Sequence, residues 1–155
     1  MNFEELYRLH AAEVRRFALY LTGDPSEADD IVSETFVRAW ASEAPVRARS
    51  LRAYLFAIAR NLHRKAHRRS AAGAALIADL PRPEPNLETE LAGASELRAV
   101  LARLQSLPET ARAALLMRAF HDMSYAEIAE SLAISVAAAK VKVHRARAAL
   151  QSQPR

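Results

Sequence analysis

The sequence contains no cysteine, which excludes a disulfide scaffold, a thiolate metal site, a cysteine nucleophile and direct thiol sensing. It has only three glycines, too few and too scattered for a glycine-rich phosphate cradle. Long apolar runs are missing as well. The longest, Ala71–Ala78, is far too short to cross a bilayer. The opening residues include Glu4 and Glu5 and do not resemble a secretion signal, so a cytoplasmic protein without membrane insertion is expected. What remains is ordinary globular composition, 51% hydrophobic and 26% charged, which excludes a wholly disordered chain. At 155 residues it has room for one medium domain or two small ones.

The net charge of +4 conceals alternating blocks. Residues 1–40 are net −4, 41–70 net +7, 71–110 net −3 and 111–155 net +4. Two basic blocks separated by acidic ones suggest two polyanion-facing surfaces, with acidic faces left for a different partner. Solvated charge alone would give the same pattern, so it does not decide the matter.

Ala, Leu, Arg and Glu dominate, and no segment alternates with period two over a strand's length, so the chain reads as all-α. A first helix opens at Asn2 as N-cap with Glu5 three residues on, and closes before Gly23. A second has Asp24 as N-cap, Pro25 at its first position and Glu27 reaching back. Its apolar stripe is Ala28, Ile31, Val32, Phe36, Ala39 and Trp40. Ala41–Arg49 reads as a loop, and Ser50 caps a third helix through about Arg69. Pro81, Pro83 and Pro85 then favour a semi-extended spacer and mark a domain boundary. One helix is expected from Leu87 or Ser95 to Ser106 and another from Pro108 to near His121. Tyr125–Leu132 and Val136–Gln151 follow. The expected fold is therefore two small helical domains joined by a Pro-containing linker, each burying its stripes within itself or against a partner.

The last two helices carry the clearest pattern. Ser124 and Glu127 form a capping box, and a tight turn leads to a second cap at Ser135, which together make a helix-turn-helix. Val136, Ala139, Val143, Ala146 and Leu150 form the core stripe of the final helix. Its opposite face presents Ala137, Ala138, Val141, His144 and Arg145, flanked by Lys140, Lys142 and Arg147. Small residues ringed by cations fit close to a DNA groove, the cations meeting phosphates and the small residues meeting thymine methyls. In the third helix Leu51, Leu55, Ile58 and Leu62 form the buried stripe. The other side carries Arg52, Phe56, Arg60, His63, Arg64 and His67, an aromatic among cations suited to unpaired bases. Packing of Phe56 under the preceding loop explains it nearly as well.

Chemistry is poorly supported. Asp29 and Asp30 are adjacent and point to different sides of their helix, so they do not converge as a carboxylate pair. His63 and His67 lie at i and i+4 with no third ligand, which favours a basic face over a metal pair. No catalytic residue, metal or cofactor is expected, His10 and His121 read as interfacial or capping residues, and Tyr125 reads as packing.

Several segments together resemble one family. Glu27–Trp40 resembles the core-binding segment of bacterial sigma factors, and Leu55–Asn61 the promoter-melting segment that follows it. Leu107-Pro108, Ser124–Leu132 and His144–Arg147 resemble the promoter-reading C-terminal domain. The order and coverage are similar to those of the extracytoplasmic-function (ECF) group of the sigma-70 family, which keeps two domains and a linker. The resemblance implies region 2 over 1–70, a linker over 71–94 and region 4 over 95–155. It implies a transcription initiation factor without enzymatic activity, whose partners are core RNA polymerase (clamp helices and flap), promoter DNA and an anti-sigma factor. Asp29, Asp30, Glu34, Phe36 and Trp40 would dock on the polymerase. Arg47 and Arg49 of the loop, with Phe56, Arg60, Asn61 and Arg64, would engage the −10 element. Ala137, Ala138, Lys140, Val141, Lys142, His144, Arg145 and Arg147 would read the −35 element. The chain departs from the family at Lys65, where an acidic residue is common, and at Ala133, where the turn commonly has Gly. That turn must avoid positive φ or accept a penalty on the order of 1 kcal/mol. Two other classes compete: a sigma-like decoy that sequesters an anti-sigma factor, and a stand-alone helix-turn-helix regulator. The decoy does not need the retained Arg60, Arg64, Lys140 and Arg145, and the regulator leaves the acidic segment 24–40 unexplained.

Overall fold

The computed structural model describes residues 2–42, 50–74 and 95–152, with backbone alone at 70–74 and 95. Arg47, Arg49 and the three closely spaced prolines lie outside the described residues. Seven helices and no strand occur among the described residues. They are α1 (Phe3–Thr22), α2 (Pro25–Ala41), α3 (Leu51–Ala74), α4 (Ser95–Gln105), α5 (Glu109–Ala119), α6 (Tyr125–Leu132) and α7 (Val136–Ser152).

The local signals act as the sequence leads one to expect. Asn2 and Glu5 close a capping box on α1, and Gly23 ends it at φ 68°. A side chain at Gly23 would be strained by that φ and would also come within 3.1 Å of Gln105. Asp24 accepts from the backbone of Ser26 and Glu27. Glu27 does not return the cap as expected: the Asp24 amide donates to Thr22 Oγ1, and the Glu27 carboxylate is bonded to His63 Nδ1 at 2.8 Å. α3 runs five residues past the expected end at Arg69, to Ala74. Ala133 ends α6 at φ 55°, ψ 47°, so the turn does accept the left-handed conformation without glycine.

The two halves do not keep separate cores. Buried residues from Leu6 to Ala146 form one apolar cluster through α1–α3 and α4–α7. At its centre Phe17 and Phe56 stack at 4.5 Å, and His121 meets both rings edge-on. α3 is therefore buried on two sides. Leu55 and Leu62 pack as expected, Leu51 and Ile58 are half-buried, and Ala53, Phe56, Ala59, Arg60 and His63 are buried in addition. The partner that each half uses to cover its apolar faces is the other half.

Candidate nucleic-acid interface

α7 turns its core stripe inward and its cations outward. Ala139, Val143 and Ala146 are buried, Leu150 is half-buried, and Val136 is exposed instead of closing the stripe. On the far side Ala137, Lys140, Val141, His144, Arg145 and Arg147 are exposed, with Ala138 and Lys142 half-buried. Side-chain caps define where each helix of the helix-turn-helix begins. Ser124 and Glu127 bond each other's backbone at the start of α6, and Ser135 Oγ accepts from the Ala138 amide at the start of α7. Tyr125 packs under two cations, with Arg118 at 4.7 Å and Lys140 at 5.8 Å from its ring centre.

α3 is different, and here two expectations are corrected. Phe56 is 0% exposed, because its ring fills the space between Phe17 and His121, so it is not a surface platform for bases in this arrangement. Arg60 is 6% exposed. Its Nε donates to Glu109 Oε1 at 2.9 Å, and its Nη2 donates to Glu109 Oε2 at 3.0 Å and Thr110 Oγ1 at 2.8 Å. The guanidinium is bound across the seam between the halves and does not face solvent. Asn61 and Arg64 are exposed as expected, together with Lys65, His67, Arg68 and Arg69. His63 is buried with its ring 4.4 Å from that of His67, and no metal-binding group of three or more His, Cys, Asp or Glu occurs among the described residues.

On α2 the acidic face is open: Asp29, Asp30 and Glu34 are exposed, Asp29 paired to Arg15 and Glu34 to Arg38, each at 2.8 Å. Trp40 is 52% exposed. Phe36 is the third correction, because it is fully buried. It meets Tyr7 edge-on at 5.1 Å and supports that face from beneath. The sequence reading missed Phe3 and Tyr7, which join Trp40 in one exposed aromatic patch. Their i, i+4 spacing on the first helix was the available signal.

The seam was also missed. Arg52 Nη1 donates to the His121 carbonyl at 2.8 Å and to Glu13 at 3.3 Å, and Ser50 Oγ donates to Glu127 Oε2 at 2.8 Å. Burial works to raise the pKa of the Glu127 carboxyl, but hydrogen bonds from Ser50 and the Ser124 amide, with the charge of Arg52, outweigh it and hold the group below its usual range. Burial lowers the pKa of His121 to about 4, helped by Arg16 and Arg52, so its ring is neutral near pH 7.

Two family models match in order: the Sigma-70 region 2 model over residues 6–72 and the Sigma-70 region 4 model over 97–150. The ECF RNA polymerase sigma factor SigL of Mycobacterium tuberculosis is 34% identical over 94% of this chain and 85% of its own. The sigma factor RpoE of Bartonella quintana, solved with the anti-sigma factor NepR, has a TM-score of 0.78 over 96% of this chain and 94% of its own, at 24% identity. CnrH of Cupriavidus metallidurans, solved with the cytosolic domain of CnrY, has a TM-score of 0.72 at 30% identity over 97% of this chain and 85% of its own. The two matched segments, the all-helical fold and the identity to SigL agree: the chain belongs to the sigma-70 family, in its ECF group of RNA polymerase sigma factors.

Proposed function

We propose that this ECF sigma factor divides its work between three surfaces. The exposed α2 face with Asp29, Asp30, Glu34 and Trp40 binds the clamp helices of core RNA polymerase, Phe3 and Tyr7 enlarging its aromatic part. Acid around an aromatic anchor suits a basic protein partner. The segment 41–50 (with Arg47 and Arg49) and the exposed part of α3 (Asn61 and Arg64) engage the −10 element and hold its unpaired strand. α7 reads the −35 element while the half that contains it, 95–155, touches the polymerase flap. Residues 1–70 act as region 2 and 71–94 as the linker. The protein acts in the cytoplasm by binding alone, without catalysis, and an anti-sigma factor is its expected inhibitor, the class of protein with which RpoE was solved in complex.

The observation that carries this reading is the outward face of α7. Its exposed cations surround Ala137, Ala138 and Val141, and the face carries no Asn or Gln for bidentate reading of adenine. Readout should therefore rest on DNA shape and methyl contacts more than on hydrogen-bonded edges. The test mixes the purified protein with core polymerase and a promoter library. Run-off transcripts starting a fixed distance from a two-part element support the proposal. Polymerase binding without initiation would show a decoy, and DNA binding without polymerase binding would show a stand-alone regulator.

A further inference from the structure

We propose that Val141 makes −35 recognition sensitive to one chemical group, the C5-methyl of a pyrimidine, which thymine and 5-methylcytosine share. The inference rests on the proposed reading of the −35 element by α7. An exposed valine is ordinary in itself. Its placing is what gives it a role. At about 100° per residue, Val141 lies about 140–160° around the helix from the buried Ala139, Val143 and Ala146, so it points away from the core. Val136 is exposed to the same degree, 43% against 44%, but lies about 140° from Val141, beside the buried stripe. Ala137 and Ala138 stand one turn before Val141, and His144 and Arg145 one turn after it. Lys140 and Lys142 flank it. Val141 is therefore the apolar centre of a cationic face.

The cations draw the helix onto the phosphates at both walls of the major groove, and the residue at the centre of the face then meets base edges. Ala137 and Ala138 carry a single methyl each, so Val141 is the bulkiest apolar group there. Its branched side chain keeps essentially one rotamer in a helix and loses little entropy on contact. Valine has no donor or acceptor. Against a guanine, adenine or unmethylated cytosine edge it strips water from polar atoms and returns no hydrogen bond, which is unfavourable. Against a C5-methyl it buries apolar surface on both partners. The contact thus separates thymine from uracil, and 5-methylcytosine from cytosine, by the same methyl group. A promoter with cytosine opposite Val141 is recognised more tightly once that base is methylated at C5, which gives this sigma factor a response to a covalent mark on DNA.

The test uses the whole chain assembled with core polymerase and a promoter selected by the wild-type protein. Every thymine of the −35 element, on either strand, is replaced in turn by deoxyuridine, which removes the methyl and changes no hydrogen-bonding atom. Duplex affinity and initiation are measured for each. At one position the wild type is expected to lose about fourfold in affinity, the effect of one buried methyl-sized group. Cytosine and 5-methylcytosine placed there are expected to differ by the same factor, in favour of the methylated base. Val141→Ser is expected to abolish both differences while keeping its helix content and the salt slope set by the phosphate contacts. Val136→Ala is expected to retain both differences. Equal wild-type affinity for thymine and deoxyuridine at every position overturns the inference, as does a methyl preference that survives Val141→Ser or disappears with Val136→Ala. Failure of the functional reading is seen separately, as absent initiation by the wild-type chain with core polymerase on unmodified DNA.

Discussion

α3 and α7 are both cationic helices with an apolar stripe, yet they present their cations in opposite ways. α7 packs on one side only, and its charges face solvent. α3 is clasped from two sides: Phe56 and Arg60, on the face opposite its own stripe, are covered by α5 and by the turn that carries His121. The comparison teaches that charge on a helix specifies what it can bind, whereas the neighbour on its second face decides whether that charge is available.

Four changes sharpen the contrast, in descending order of effect. Phe56→Ala removes a ring stacked in the core and should destabilise the chain by about 3–5 kcal/mol in a denaturant titration. A loss below about 1 kcal/mol would return Phe56 to the surface. The second change is in pH. The folded pKa of His121, about 4, lies below the ordinary 6.5, so its contribution is complete above pH 6.5. As pH falls toward 4, the unfolded chain takes up a proton that the buried ring refuses, and up to about 3 kcal/mol is lost. Arg16 and Arg52 oppose the protonated ring, while Glu13, 3.6 Å from Nδ1, partly offsets them. Wild-type and His121→Gln stabilities should therefore diverge between pH 7 and pH 4.5, and parallel curves would contradict the assignment.

Third, on α7, Arg145→Ala should leave stability unchanged, weaken binding to all duplex sequences alike and reduce the salt slope by about 1. A changed base preference would make Arg145 a reader of bases. The smallest effect belongs to the α6–α7 turn. Ala133→Gly should stabilise the chain by about 1 kcal/mol, because Ala133 is held at φ 55°. Destabilisation by thermal melting would show that the methyl group packs usefully.

These effects also mark what could be read from sequence. Helix starts were legible because the caps at Asn2, Asp24 and Ser124 act over two or three residues. The outward face of α7 was legible because one packed side leaves the period of 3.6 unambiguous. α3 was legible only in part: a helix buried on two faces shows two stripes, and residues such as Phe56 and Arg60 fit either core or surface. Their partners lie far along the chain, as Glu109 does for Arg60 and Glu127 for Ser50, at 49 and 77 residues' separation. No local period carries that information. Glu27 was misread for the same reason, because its partner His63 is 36 residues away. The polarity of the seam was visible only as scattered charge until the helices brought it together.

The central claim is that α7 supplies promoter recognition to a polymerase held elsewhere on the chain. It is tested most directly by reconstituting core polymerase with Lys140→Glu/Arg145→Glu protein and measuring initiation from a promoter selected with the wild type. The account predicts that the doubly substituted chain still assembles with polymerase and no longer starts transcription there. Start-site choice and yield equal to the wild type would contradict it.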